Sequence, residues 1–293
     1  MRESTEGGVR CGVVDNSLFS TYTDEGNLAK EDISMKIFRW TALLLTLAVS
    51  AIAQTQPAKY QTVFTVNVKP GMTQQYETYV KKIVEAAEKI GDVPNWATFN
   101  LTVGGAGGQY AFVLAFDTWG ERDSWTSPRA MLVKAFGEEE AAKIMRSGMM
   151  AEASSESTIS QFQPGLSSKR AGSGGIKNNY VVSATVIKPD KVQDYRLAIS
   201  KIRAAFDKAG GAPSTTRRTI RGNRWTFSSA TGFDTSAERD QQPDFGEAMG
   251  ALYSEREIDQ IMDMFRGATV ESTWFEVAFR PGLSHPSEAA TSN

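Results

Sequence analysis

Apolar residues recur along this chain at two spacings, every second position and every third or fourth, and stretches of the two kinds alternate. Tyr60–Val68 is rich in β-branched and aromatic residues and is broken by Lys69-Pro70-Gly71, which predicts a strand. Thr73–Ile90 carries Tyr76, Val80, Ile83, Val84 and Ala87 at helical spacing, with Gly91 as its stop. Ala97–Val103 and Tyr110–Phe116 read as two strands joined through the glycine-rich run Gly104–Gly108, a hairpin. Glu138–Met149 predicts a second helix and Thr158–Phe162 a last strand ending at Pro164-Gly165. The order is β-α-β-β-α-β, the split βαβ or ferredoxin-like unit. Its single antiparallel sheet carries both helices on one face and leaves the other bare.

The pattern then repeats. Val66-Asn67-Val68-Lys69-Pro70 returns as Thr185-Val186-Ile187-Lys188-Pro189, and Tyr76, Ile83 and Gly91 return as Tyr195, Ile202 and Gly210. Phe116-Asp117-Thr118 returns as Phe233-Asp234-Thr235, Ile144-Met145 as Ile261-Met262, and Pro164-Gly165-Leu166-Ser167 as Pro281-Gly282-Leu283-Ser284. In the second copy the hairpin turn is Gly222-Asn223 and the last strand, Glu271–Phe279, is more plainly apolar. The expected organisation is a first repeat at 58–166, a Ser/Gly/Lys-rich linker at 167–178, a second repeat at 179–284 and a disordered tail at 285–293. The expected fold class is α+β: two tandem βαββαβ units packing their open faces together as a pseudo-dimeric barrel within one chain.

Ahead of the repeats, Met35–Arg39 is short and basic, Trp40–Val49 is apolar, and Ala51-Ile52-Ala53 places small residues where a signal peptidase reads. Basic, apolar and A-x-A in that order is the pattern of a secretory signal, and the run is too short to span a bilayer. Residues 35–53 are therefore expected to be removed. Residues 1–34, polar and without periodicity, read as a non-native or disordered extension. The address this implies is the periplasm or the exterior, with no stable membrane insertion after cleavage.

Composition narrows the chemistry. Five of the 32 Lys+Arg and seven of the 34 Asp+Glu precede Gln54, leaving 27 of each, so a net charge near zero argues against nucleic acid as a partner. Cys11 is the only cysteine and lies upstream of the signal; His285 is the only histidine and follows the last strand. The two repeats therefore lack thiol chemistry, disulfides, Cys- or His-ligated metals and His-based triads. No metal and no cofactor are expected.

Repeat length, element order and the Phe-Asp-Thr segment after the third strand resemble the dimeric α+β barrel superfamily, which includes antibiotic-biosynthesis-monooxygenase-like, NIPSNAP-like and EthD-like domains. The resemblance covers roughly residues 58–166 and 178–284. It implies that the barrel usually built by two subunits is built here by the two repeats. Members include cofactor-free oxygenases, haem-handling enzymes and many proteins of no known activity. Haem binding through histidine matches this chain poorly, and no motif position carries a catalytic residue across.

Candidate sites come from places where the repeats differ. The second strand reads Ala97-Thr98-Phe99-Asn100-Leu101-Thr102-Val103 in the first copy and Thr215-Thr216-Arg217-Arg218-Thr219-Ile220-Arg221 in the second. Alternation puts Arg217, Thr219 and Arg221 on one face, where a guanidinium pair can clamp a carboxylate or phosphate, or form a solvated edge. In the last strand Trp274, Glu276 and Ala278 share a face. Glu276, in an apolar stretch, is a candidate general base, or the partner of an arginine; its counterpart is Ile159. Trp119 and Trp125, replaced by Ser236 and Gln242 in the second copy, can line a ligand mouth from a loop, or simply cover the core. The Gly104–Gly108 run lacks the strand-to-helix context of a dinucleotide loop.

These features favour an exported, non-catalytic module that binds a small organic or anionic ligand or serves a structural role, with room for further association. The alternative is a cofactor-independent oxygenase or isomerase in which Glu276, Arg217 or Arg221 handles protons or charge. Fold alone does not choose between them.

Overall fold

The computed structural model describes residues 56–104 and 107–285. Residues 1–34, the signal-like segment 35–53 and the tail beyond His285 lie outside the described residues. The first repeat consists of β1 (Tyr60–Val68), α1 (Thr73–Ile90), β2 (Ala97–Val103), β3 (Gln109–Phe116), the short helix α2 (Trp119–Asp123), α3 (Pro128–Phe136), α4 (Glu138–Ala151) and β4 (Glu152–Phe162). The second consists of β5 (Asn179–Ile187), α5 (Val192–Lys208), β6 (Ser214–Arg221), β7 (Thr226–Phe233), α6 (Ser236–Asp240), α7 (Phe245–Gly250), α8 (Glu255–Ala268) and β8 (Thr269–Phe279). No described helix is long and apolar enough to cross a membrane.

The eight described strands join one closed barrel in the order β1-β3-β2-β8-β5-β7-β6-β4. Each repeat thus supplies the four-strand order 4-1-3-2 of the split βαβ unit. The two sheets meet at two seams, where β2 pairs with β8 and β4 with β6, both antiparallel. Closure removes the exposed edges that either sheet would carry alone. The bare faces turn inward and the helices lie outside. Val63, Phe99, Ala111 and Val113 of one repeat meet Tyr180, Val182, Ala230, Phe275 and Val277 of the other in a shared core.

The recurring Pro-Gly-Leu-Ser segments are reciprocal arms. Each forms a turn of 3-10 helix after the last strand of its own repeat and packs into the helix layer of the other. Leu166 is buried with Tyr195, Ile199 and Phe227, and Leu283 with Tyr76, Val80 and Tyr110. The backbone N–H of Thr216 donates to Ser167 Oγ and that of Thr98 to Ser284 Oγ, each at 2.8 Å. The hydroxyls of Thr216 and Thr98 donate to the carbonyls of Leu166 (2.9 Å) and Leu283 (2.6 Å). Neither repeat completes its own outer layer without the other's arm.

Several regions differ from expectation. β4 begins at Glu152 and β8 at Thr269, earlier than hydropathy suggests, because β1 and β5 pair with the polar stretches as well. The stretch after β3, expected as loop, is helical at Trp119–Asp123. Thr118 Oγ1 caps it by accepting from Glu121 N–H, and the Glu121 carboxylate accepts from Asp117 N–H. The linker is ordered: Ser168 donates to Asp207, Lys177 pairs with Asp234, and Ile176 packs against the barrel core. His285, the first residue of the expected tail, exchanges backbone hydrogen bonds with Trp96 at 3.0 and 3.1 Å.

Candidate functional site

Side chains alternate across a strand, so every second residue enters the barrel. The two seams fill the interior with opposite chemistry. At the β2–β8 seam Phe99 and Leu101 lie beside Phe275, Val277 and Phe279. At the β4–β6 seam the equivalent positions are Arg217 and Thr219 beside Thr158, Ser160 and Phe162. A duplicated barrel has thus become apolar on one side and polar on the other.

The polar side is a continuous strip. Ser160 stands in register between Gln61 of β1 and Thr219 of β6, and Arg217 stands between Phe162 of β4 and Ser228 of β7. Gln61, Ser160, Arg217, Thr219, Thr226 and Ser228 are all buried. Both amide atoms of Gln61, the hydroxyls of Ser160, Thr219, Thr226 and Ser228, and Nε and Nη1 of Arg217 have no hydrogen-bond partner among the described residues. A buried polar group left unpaired costs about 1–3 kcal/mol, so folded proteins keep such groups few and dispersed.

Arg217 dominates the strip. It is 1% exposed, and its one hydrogen bond among the described residues runs from Nη2 to the carbonyl of Ala58, 2.8 Å away. Its guanidinium carbon lies 5.7 Å from the Phe162 ring centre, a cation–π contact. Burial pushes its pKa down to about 9, with Asp117 opposing the fall. The Asp117 carboxylate itself accepts the backbone N–H of Lys59 at 2.8 Å and does not bond the guanidinium. Arg217 is the only Lys or Arg among the described inward-facing strand residues. The two inward acids, Glu156 and Glu271, lie nearer the other barrel end, and burial raises the Glu156 carboxyl above its ordinary range. At the end where β6 begins, Tyr180, Thr215 and Gly232 line a small recess with Gly172, Ser173 and Lys177 of the connecting segment.

Of the six candidate site residues read from sequence, only Arg217 enters the barrel, with Thr219 on the same face as expected. Arg221 does not share its face, because Ile220 is an extra residue in the β4–β6 ladder: Ser160 pairs with Thr219 and Ile159 with Arg221. Such a bulge turns the following side chain to the opposite face. The Arg221 guanidinium lies over the Trp119 ring at 5.1 Å on the outside. Trp119 also stacks near Tyr60 and Phe116, and Trp125 meets Phe116 edge-on at 5.4 Å. Trp274 projects outward and is 41% exposed. Glu276 is on that outer face too, half-buried in an ion pair with Arg239 rather than with a strand arginine. Gln61, Ser160, Thr226 and Ser228 were not singled out. For Ser160 and Ser228 the signal was a hydroxyl at an inward position matched to the apolar Val277 and Ala111 of the other copy. Among the described residues no group of three or more His, Cys, Asp or Glu is placed to hold a metal ion.

No family model matches the sequence. No curated protein is similar to it in sequence. Solved structures of similar shape include a protein assigned by inference as a monooxygenase from Fusobacterium nucleatum, 13% identical, with a TM-score of 0.48 over 78% of this chain and 98% of that one. Another is an anthrone oxidase-like protein, 12% identical, with a TM-score of 0.45 over 83% and 100%. A third is a chlorite dismutase variant from Candidatus Nitrospira defluvii in complex with cyanide, 8% identical, with a TM-score of 0.45 over 77% and 92%. The fold assignment rests on the strand order: two 4-1-3-2 sheets closed edge to edge with helices outside. This is the dimeric α+β barrel architecture with both halves on one chain.

Proposed function

We propose that this chain is an exported small-molecule-binding protein whose ligand sits inside the barrel against the β4–β6 seam. One observation carries the binding half: six inward side chains on and beside that seam hold polar atoms that nothing else among the described residues satisfies. A purely structural barrel is served better by the apolar filling found at the equivalent seam. The export half rests on residues 35–53. N-terminal sequencing of protein recovered from cell fractions tests it: a start near Gln54 outside the cytoplasm supports export, and retained Met1 overturns it. For binding, natively purified protein is released into organic solvent for mass spectrometry and then screened by thermal shift against small polar metabolites. A co-purifying or stabilising compound is expected. Failure of every compound, with a crystal structure showing only water along the strip, returns the barrel to a structural role.

One observation favours the enzymatic alternative. Glu156 faces the interior on β4 with its carboxyl raised by burial, which suits a group that handles protons. In that reading Glu156 is the proton-handling base of a cofactor-independent oxygenase or isomerase. Glu156→Gln is then expected to abolish turnover on a panel of phenolic substrates while leaving binding intact. No turnover by the unmodified protein removes this reading.

A further inference from the structure

We propose that Arg217 anchors a buried site for a small monovalent oxyanion of the carboxylate type, ringed by the Gln61 amide and the hydroxyls of Ser160, Thr219 and Ser228. The inference rests on the binding reading above and specifies its chemistry. Three arguments lead to it. First, Nε and Nη1 of Arg217 present three N–H donors without acceptors among the described residues, on a side chain 1% exposed. Water can accept from them, but water leaves the charge uncompensated; an anion does both. Second, no carboxylate among the described residues fills that role. Asp117 is engaged with the Lys59 backbone, and Glu156 lies six residues along β4 from Phe162, the residue opposite Arg217. At 3.3–3.4 Å per residue that is roughly 20 Å. Third, the surrounding groups are neutral. Hydroxyls and a carboxamide can donate to an oxyanion's remaining lone pairs without adding charge. One cation without a second limits the ligand to one negative charge. Enclosure by buried side chains on the four strands β1, β4, β6 and β7 limits it to a small one.

The apolar β2–β8 seam faces this strip across the barrel. A short alkyl group on the carboxylate has Phe99, Leu101 and Val277 to pack against, which an inorganic oxyanion cannot use. A short aliphatic or aryl carboxylate is therefore favoured over nitrate or phosphate.

Calorimetric titration and thermal melts of the purified protein, at constant ionic strength balanced with chloride, test this with sodium acetate, sodium butyrate, sodium nitrate and neutral acetamide. Butyrate is expected to bind best and acetate next, each raising the melting temperature, with acetamide inactive. Arg217→Met is expected to abolish the response, and Arg218→Met, on the outer face, to keep it. Should Arg217→Met not fold, Ser160→Ala with Ser228→Ala is expected to weaken butyrate binding by about ten- to a hundredfold. An undiminished response in Arg217→Met, or in the serine double variant, overturns the site. Acetamide acting as well as acetate leaves the binding reading standing and removes the anion. Nitrate acting better than butyrate removes the carboxylate assignment. No response to any probe removes the anion site, while the metabolite screen decides the binding reading independently.

Discussion

Arg217→Met is expected to make the ligand-free protein more stable, although it deletes a fully buried side chain. Burial lowers the Arg217 pKa to about 9, well below the ordinary guanidinium range. At about 1.4 kcal/mol per tenfold change, that fall is an upper bound of about 5 kcal/mol of penalty on the charged form. Relaxation of the surroundings reduces what is recovered; replacing buried ions by apolar groups typically gains 1–4 kcal/mol. Methionine keeps the unbranched shape and adapts to irregular space. It loses the 2.8 Å bond to the Ala58 carbonyl, a cost of about 1 kcal/mol. The net expectation is a gain of about 2 kcal/mol, or about 6 °C in melting temperature for a chain of this size. The pH dependence has a definite sign. The folded state holds Arg217 at about 9 and the unfolded state keeps the ordinary value. Below pH 9 both states are protonated and the penalty is complete and constant. Above it the folded protein releases its proton first, so the unmodified protein gains stability as pH rises. The variant's advantage is thus level between pH 6 and 8 and shrinks from pH 9 upward. Calorimetric melts of both proteins across that range measure it, and saturating butyrate should close the gap from the other side. A variant less stable than the parent by 1 kcal/mol or more would falsify the claim that this charge is buried without compensation.

Three further outcomes follow from the geometry. Gly104 has a φ of +91°, and a Cβ there would lie 2.9 Å from the Trp274 carbonyl oxygen and 3.0 Å from Phe275 Cβ. Gly104→Ala should cost about 1–3 kcal/mol and speed amide exchange at Leu101 and Val277, where β2 meets β8; unchanged exchange would show that the turn yields instead. Leu283→Ala, at 1% exposure in the other repeat's helix layer, should cost about 2–5 kcal/mol with one unfolding transition rather than two. Two separate transitions would mean that the repeats fold independently. Glu276→Gln breaks an outer-face ion pair with Arg239 that is partly solvated, so the melting temperature should move by no more than about 2 °C. A loss of several degrees would make that pair a structural determinant.

Much of the architecture was legible because it is local. Side-chain period, turn residues and the recurrence of Val66–Pro70 and Pro164–Ser167 in a second copy are properties of neighbouring residues, and they predict two βαββαβ units with bare sheet faces. The contrast between Ala97–Val103 and Thr215–Arg221 was also visible, and it pointed to Arg217 as a candidate. What the sequence could not show was the partner of each strand across the seams. That choice depends on closing the barrel between residues more than fifty positions apart, and no local period encodes it. The seam pairings put Phe99 with Phe279 and Arg217 with Phe162, and they aligned Gln61, Ser160 and Thr219 in one row. One unpaired residue, Ile220, sent Arg221 outward where strict alternation predicts inward. The sequence by itself determined which residues could form strands and helices and that the set occurs twice. Tertiary closure decided which charges lost their water, because desolvation depends on what surrounds a side chain from every direction rather than on its neighbours in the chain.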